Sequence, residues 1–253
     1  MKIAVCIKQV PTREWQPRLN DQKTWIREHD ISYEMNEPDA YALEESLRLR
    51  EKHGGEVVVC SAGPARVQTV IREALARGAD RAIHVEHDSL GAADAFVLAD
   101  ALAAAMKDEK FDLVLTGLQS DDQGHGQTGV VLAERLGMPA STIIMEVQVE
   151  NSALRVKREL EGGWFQWIAM PLPALLTIQS GINQLRYATL KGIMAAKKKE
   201  IKKASLPDGL QPSQQVVSLA VPTRSKQTQM ITGSPADAAK ELVRRLREEA
   251  RAL

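Results

Sequence analysis

Four shortages in this sequence each exclude something. Cysteine occurs twice in 253 residues, at Cys6 and Cys60. That rules out a disulfide framework, and since both lie in apolar strand-like runs, buried thiols in a reducing compartment are expected. Aromatic residues make up 4% of the chain. The close pair Trp164 and Trp167 is expected to pack on a sheet face rather than to form a ligand platform. Neither charge sign is in excess, since 33 basic residues face 33 acidic ones. No global field therefore favours nucleic acid or an anionic membrane, and any electrostatic role must be local. No apolar run approaches the ~20 residues of a membrane span, and the opening MKIAVCIKQVP has too short an apolar core for a signal peptide. The expectation is a soluble, cytoplasmic protein that does not insert into membranes.

Catalytic patterns are also missing. His29, His53, His84 and His87 have no Cys or Glu in ligand order, so structural or solvated histidines are expected and no metal site. There is no serine in a nucleophile elbow and no P-loop lysine. Asp121 and Asp122 are adjacent on one loop and should point apart, which argues against a carboxylate pair for acid–base work. No catalytic residue is expected.

Present instead is an alternation of strands and helices. Residues 2–7 form a first buried strand that Pro11 ends, and a polar stretch without a clean period follows, a long loop with room for a small hairpin. Asn36 is positioned to N-cap a helix with Pro38 in its first turn, running to His53 and closed by Gly54-Gly55. Residues 56–60 are a β-branched strand, 65–77 a helix closed by Gly78, 82–85 a strand, 92–106 an alanine-rich helix, and 112–115 a strand. This spacing predicts a parallel sheet with right-handed crossovers. Residues 142–149, 154–160, 163–169 and 174–178 read as four more strands with turns at 150–152 and 161–163, hence antiparallel pairing added to the first sheet. A basic cluster lies within 182–203, a Pro, Gln and Ser-rich tether spans 206–232, and Ser234-Pro235 opens a last helix with Ala238, Leu242, Val243 and Leu246 as its apolar stripe. Two regions result, an α/β domain over 1–204 and an extension over 205–253 whose helix is as suited to a partner as to its own core.

The stretch 111–137, FDLVLTGLQSDDQGHGQTGVVLAERLG, runs from strand through a glycine-rich loop into a helix. Such a helix start presents unpaired N–H groups to a phosphate. Gly124, Gly126 and Gly129 remove side chains where a ligand could approach, and Gln127 and Thr128 supply polar donors. Cys6, Asn36 and Ala62, at the ends of neighbouring elements, should line the same crevice, with small side chains for an adenine and an amide for its ribose or ring.

On VCIKQVP at 5–11, MNEPDAYALEE at 35–45, SAGP at 61–64, GQTG at 126–129, VKRELEGGWFQWIAMPLPALLT at 156–177 and LRYATLKGIMAAKKK at 185–199, the chain resembles the beta subunit of electron transfer flavoproteins, from the first strand through about Ile201. The resemblance implies an adenine nucleotide alpha hydrolase-like fold and the non-catalytic half of a heterodimeric electron carrier. In that family FAD is held mainly by the alpha subunit and carries electrons from primary dehydrogenases, such as acyl-CoA dehydrogenases, to a quinone oxidoreductase, while the beta subunit buries a structural AMP. By position, AMP would touch Cys6, Asn36, Ala62 and the loop from Gly117 through Asp122, Gln123, His125 and Gly126 to Gln127 and Thr128, the last two near the phosphate. The dehydrogenase-docking loop maps onto 183–199, with Leu190 as anchor and Arg186, Tyr187, Ile193, Met194, Lys197 and Lys198 around it. Residues 191–203 hold six lysines against one glutamate, which fits electrostatic steering of a transient partner.

The chain departs from the family pattern in two places. Members that bifurcate electrons carry a second FAD instead of AMP, with a loop near D-G-D-T-A-Q-V-G; residues 122–129 here read DQGHGQTG, nearer the AMP type and identical to neither. Arg13 falls about where relatives place an aromatic near the flavin, so no flavin contact is assigned. Two other classes compete. A free-standing nucleotide-binding regulator of the universal-stress type would leave 182–199 and the tethered helix without a role. An adenylate-forming enzyme would need a PP-loop or HIGH-like motif that is missing.

Overall fold

The chain folds outward from β1 (Lys2–Cys6), a short apolar strand buried along nearly its whole length, as suits the middle of a parallel sheet. The structure is a computed structural model that describes residues 1–150, 153–222 and 228–253. After β1 the chain makes β2 (Gln9–Pro11) and β3 (Tyr33–Met35), which pair antiparallel as a separate two-stranded sheet. The polar stretch between them closes on a single bridge between Leu19 and Ile26. Then follow α1 (Glu37–His53), β4 (Glu56–Gly63), α2 (Gln68–Arg77), β5 (Arg81–Glu86), α3 (Ala95–Met106), β6 (Leu113–Gly117) and α4 (Thr128–Leu136). Gly54 ends α1 at φ 70° and Gly137 ends α4 at φ 64°, left-handed positions where the absent Cβ removes the steric cost. Both predicted helix starts move inward. Residues 65–67 and 88–92 form 3-10 turns, and Asp94 caps α3 by accepting from the Val97 amide at 2.9 Å.

Next come β7 (Ala140–Glu150), β8 (Ala153–Glu159), β9 (Phe165–Pro171), β10 (Ala174–Ile178), α5 (Leu190–Ala196), β11 (Ile201–Ala204) and α6 (Pro235–Glu248). Nine strands form one sheet in the order β11-β5-β4-β1-β6-β10-β7-β8-β9. Only β7-β8-β9 is antiparallel. The expectation of four added antiparallel strands is corrected at its last member, because β10 inserts between β6 and β7, parallel to both. The reason is visible in its residues: ALLTI is buried at all five positions, whereas β8 alternates between exposed and buried at its start, and a strand apolar on both faces is most stable in the middle of the sheet. The predicted turn at 150–152 falls partly on residues 151 and 152, outside the described residues.

β11 was not anticipated. It pairs in parallel with β5 and closes that edge of the sheet with Lys202 and Lys203, charged residues of the kind that discourage further strand addition.

Alternate residues of β1 point to opposite layers. Ile3 and Val5 join Leu43 and Leu47 of α1 and Ile71 and Leu75 of α2; Ala4 and Cys6 join Leu102 of α3 and Leu132 of α4. Each fully buried aliphatic of this kind contributes about 1.5–3 kcal/mol. Trp164 and Trp167 do not supply a sheet-face core as expected. They belong to the region of β9, the last strand in the order, where Trp164 is 74% exposed and the Arg155 guanidinium covers Trp167 at 4.5 Å.

Two compact units result, Met1–Leu219 and Ala220–Leu253. The sequence pattern starts the extension at 205, but residues up to 219 belong with the first unit. The Ser213 and Gln214 amides donate to Asp94 Oδ2, and the Leu219 amide donates to the Lys23 carbonyl. Within the second unit, Ser234 Oγ caps α6 by accepting from the Asp237 amide.

Candidate functional site

The chain leaves β1 for β4 and β5 on one side and returns to β6 on the other, so the carboxyl ends of β1 and β6 diverge and open a crevice. Nine of the ten residues expected at a nucleotide line it together: Cys6, Asn36, Ala62, Gly117, Gln123, His125, Gly126, Gln127 and Thr128. Asp122 is not among the lining residues. Its Oδ1 accepts from Lys8 Nζ at 2.7 Å. Lys8 Nζ also donates to Ser120 Oγ and Gln123 Oε1, so one ammonium ties the loop after β6 back to the end of β1.

Asn36 sits at the start of α1 but does not cap it through its side chain. Its Nδ2 donates to the Gln119 carbonyl at 3.0 Å and its Oδ1 accepts from the Asp121 amide at 2.9 Å. The amide is therefore engaged with the loop backbone through one donor and one acceptor bond. The hydrogen bonds of the loop pull Asp121 and Asp122 to different partners, with Arg13 3.8 Å from Asp121 and also paired with Glu37.

Asp39 was missed from the sequence, although it lies in the first turn of α1 directly beside the crevice. It is buried, and its Oδ2 accepts from the Lys8 amide at 2.7 Å while Oδ1 accepts from the Gly117 amide at 2.9 Å. Burial pushes its carboxyl up, the two amides and Asn36 oppose that, and the result is about 7. Burial also raises both thiols, Cys60 to about 12 and Cys6 in the same direction with help from Cys60 and Asp39, so neither is a ready nucleophile.

The loop glycines divide by role. Gly124 and Gly126 hold φ near 65°, which permits the turn. Gly129 lines the crevice, and a Cβ there would lie 2.6 Å from Thr116 Oγ1 and 2.8 Å from Thr177 Cγ2, so its absence lets α4 seat on the sheet. No side chain caps the start of α4, and Gln127, Thr128 and Gly129 at that end line the crevice, which places the positive end of the helix dipole beside it. Ala62 with Ala95, Leu98 and Leu102 of α3 makes an apolar wall of the same crevice. The α3 residues were missed too, although their i, i+3, i+7 spacing marked one face of the helix. A helix start and an apolar set of side chains thus share one crevice.

The second predicted region lies elsewhere on the same unit. Tyr187 is 92% and Leu190 77% exposed, and Ile193 and Met194 are exposed beside them. Lys197 and Lys198 are also exposed. Lys199 is not free to steer a partner: its Nζ donates to the carbonyls of Leu75 and Ala79 near the end of α2. Arg186 is turned inward to Glu44 and Glu51. Thr189 caps α5, and Gly192 lets α5 approach α2 so closely that a Cβ would lie 2.3 Å from the Ala76 carbonyl.

Of the histidines outside the crevice, His84 is buried with Nε2 3.1 Å from the Gly63 carbonyl, and burial lowers its pKa. His87 pairs with Ser89. Among the described residues no group of three His, Cys, Asp or Glu is placed to hold a metal, and no helix is long and apolar enough to cross a membrane.

Sheet order and crevice together define an α/β protein with a crevice at the carboxyl ends of its parallel strands. The profile described as "Electron transfer flavoprotein domain" matches residues 23–209. Relatives named electron transfer flavoprotein subunit beta include that of Methylophilus methylotrophus, 36% identical with 98% of each chain covered, and that of Homo sapiens, 36% identical with 98% of this chain and 97% of the relative covered. The one from Oryza sativa subsp. japonica, named as mitochondrial, is 37% identical over the whole of both chains. The chain belongs to the electron transfer flavoprotein family, and its role is in flavin-linked electron transfer.

Proposed function

We propose that this chain is the beta half of a heterodimeric electron transfer flavoprotein that takes electrons from primary dehydrogenases, acyl-CoA dehydrogenases being the expected class, and delivers them to a quinone oxidoreductase from the cytoplasm. AMP occupies the crevice, and FAD, held mainly by the alpha subunit, supplies the redox chemistry. The observation that carries the nucleotide is the uncapped start of α4 lining one crevice with the apolar wall of Ala62, Ala95, Leu98 and Leu102. Backbone N–H groups there bind the phosphate, Gln127 and Thr128 add side-chain donors, and the wall excludes water from the base. Lys8, Asn36 and Asp39 hold the loop and strand ends in place around it. Nothing in this role needs a catalytic residue. Leu190 and its apolar neighbours form the dehydrogenase contact, flanked by Lys197 and Lys198, and the Ala220–Leu253 unit brings α6 to the alpha subunit.

Co-expression with an alpha subunit, followed by denaturation and quantitation of released flavin and AMP, tests this. One flavin and one AMP per heterodimer is the expected result. Two flavins and no AMP would instead assign the bifurcating type. A colourless, folded monomer with no affinity for an alpha subunit would overturn the proposal in favour of a free-standing nucleotide-binding regulator.

A further inference from the structure

Tyr187 and Leu190 are exposed, yet the backbone that carries them is fastened on both sides. Ile182, Leu185 and Ala188 turn inward against the core. Asn183 Nδ2 donates to the Tyr41 carbonyl at 3.2 Å and to Glu45 Oε2 at 3.0 Å, and Arg48 donates to the Gln184 carbonyl at 3.1 Å. Arg186 makes the densest attachment. Its guanidinium reaches both oxygens of Glu44, at 2.8 and 3.1 Å, and both oxygens of Glu51, at 2.5 and 3.1 Å. Its own amide donates to Glu44 as well.

Glu44 and Glu51 are seven residues apart on α1 and so share one face of the helix. Glu44 is buried, which alone would raise its pKa, but hydrogen bonds from Arg186 and Arg48 outweigh burial and hold it below its ordinary value. A guanidinium is the group suited to this place, because its planar fork can satisfy two carboxylates at once and a lysine ammonium cannot match that geometry. A guanidinium with four of its five N–H donors engaged within the chain has little left to offer a partner.

We propose that Arg186 is a positioning residue and not a contact. By clamping residue 186 to Glu44 and Glu51 of α1, it fixes the 185–190 backbone so that Tyr187 and Leu190 are presented in one arrangement before any partner arrives. The partner is a protein with an apolar pocket for the leucine and an acidic rim facing Lys191, Lys197 and Lys198. Presenting an ordered anchor lowers the ordering cost of association, which matters for a small contact that must form and release quickly. The inference rests on the reading that Leu190 docks, and the experiment separates the two.

Electron transfer to the assembled heterodimer from an acyl-CoA dehydrogenase is measured for Arg186→Gln, Arg186→Lys, Glu51→Gln, Leu190→Ala and the Arg186→Gln/Leu190→Ala double variant. Arg186→Gln should raise the KM for the heterodimer about five- to tenfold, in the range of a weakened hot spot, with kcat within about twofold. Arg186→Lys should recover part of the loss. In the Leu190→Ala background, Arg186→Gln should add less than about twofold, because both act on the same contact. Glu51→Gln, which loosens the exposed half of the clamp, should raise KM about two- to threefold with an unchanged melting temperature, and it carries the test if Arg186→Gln does not fold. If Leu190→Ala leaves KM unchanged, the docking reading fails and this inference with it. If Leu190→Ala raises KM while Arg186→Gln and Glu51→Gln do not, or if the Arg186→Gln effect persists in full on Leu190→Ala, the positioning role alone is rejected.

Discussion

The Oδ1 of Asp39 accepts the Gly117 amide at 2.9 Å, and a Cβ on Gly117 would sit 2.3 Å from that same oxygen. Helix α1 and strand β6 can meet this closely only with no side chain at 117. Gly117→Ala should therefore destabilise the chain by about 3 kcal/mol, from overpacking and the loss of a buried hydrogen bond. Urea unfolding would show the lowered midpoint, and the purified heterodimer should retain less nucleotide.

Asp39 also sets a pH dependence. Its folded pKa of about 7 lies above its ordinary value of 3.8, so the folded chain binds the proton more tightly than the unfolded chain. The contribution is fully present below about pH 4 and is lost as pH rises through about 7, with a span of at most ~4 kcal/mol. Melting temperatures of the wild type and Asp39→Asn taken from pH 5 to 8 should converge or diverge with this sign: wild type loses stability relative to the variant as pH rises. A difference independent of pH would show that Asp39 does not titrate over this range.

Gly124 and Gly129 should respond to alanine for different reasons. Gly124→Ala meets nothing within 4 Å and costs only the left-handed backbone strain, about 1–2 kcal/mol. Gly129→Ala collides with Thr116 and Thr177 and should cost about 2–3 kcal/mol while lifting α4 off the sheet. Chemical denaturation of the two variants, with near-ultraviolet circular dichroism of the folded states, distinguishes a local effect from a displaced helix.

Adjacent lysines should separate in the same way. Lys199→Ala removes two hydrogen bonds to carbonyls near the end of α2 and is expected to cost about 1–3 kcal/mol. Lys198→Ala should change stability by less than about 0.5 kcal/mol. Its effect should appear in stopped-flow association with a dehydrogenase, as a slower rate at low salt that vanishes at high salt.

Much of this architecture was legible in the sequence where local rules and tertiary context agree. The strand and helix alternation through residue 117, the crevice at the strand ends and the glycine-rich approach to α4 follow from periodicity and turn chemistry. The departures have particular causes. ALLTI was assigned by its place after two hairpins, although its unbroken apolar run already marked a central strand. IKKA was hidden by its lysines, which suit an edge. Asn36 satisfied every local criterion for a cap and was drawn instead to the loop at Gln119 and Asp121. Arg186 and Lys199 read as surface charge because their partners, Glu44 and Leu75, lie more than a hundred residues earlier in the chain. No window of local sequence contains such a pairing.

The central place of β10 has a consequence for how the chain is made. By the time Pro171 has been synthesised, the parallel strands through β6 and the hairpins of β7 to β9 all exist, yet the strand that joins them does not. The growing chain then carries two partial sheets, each with a bare inner edge, and such edges invite pairing with other chains. Emergence of Ala174–Ile178 covers both edges at once through its pairs to β6 and β7. A chain truncated just after Pro171 thus keeps both bare edges and is a client for chaperones and not a smaller version of the protein.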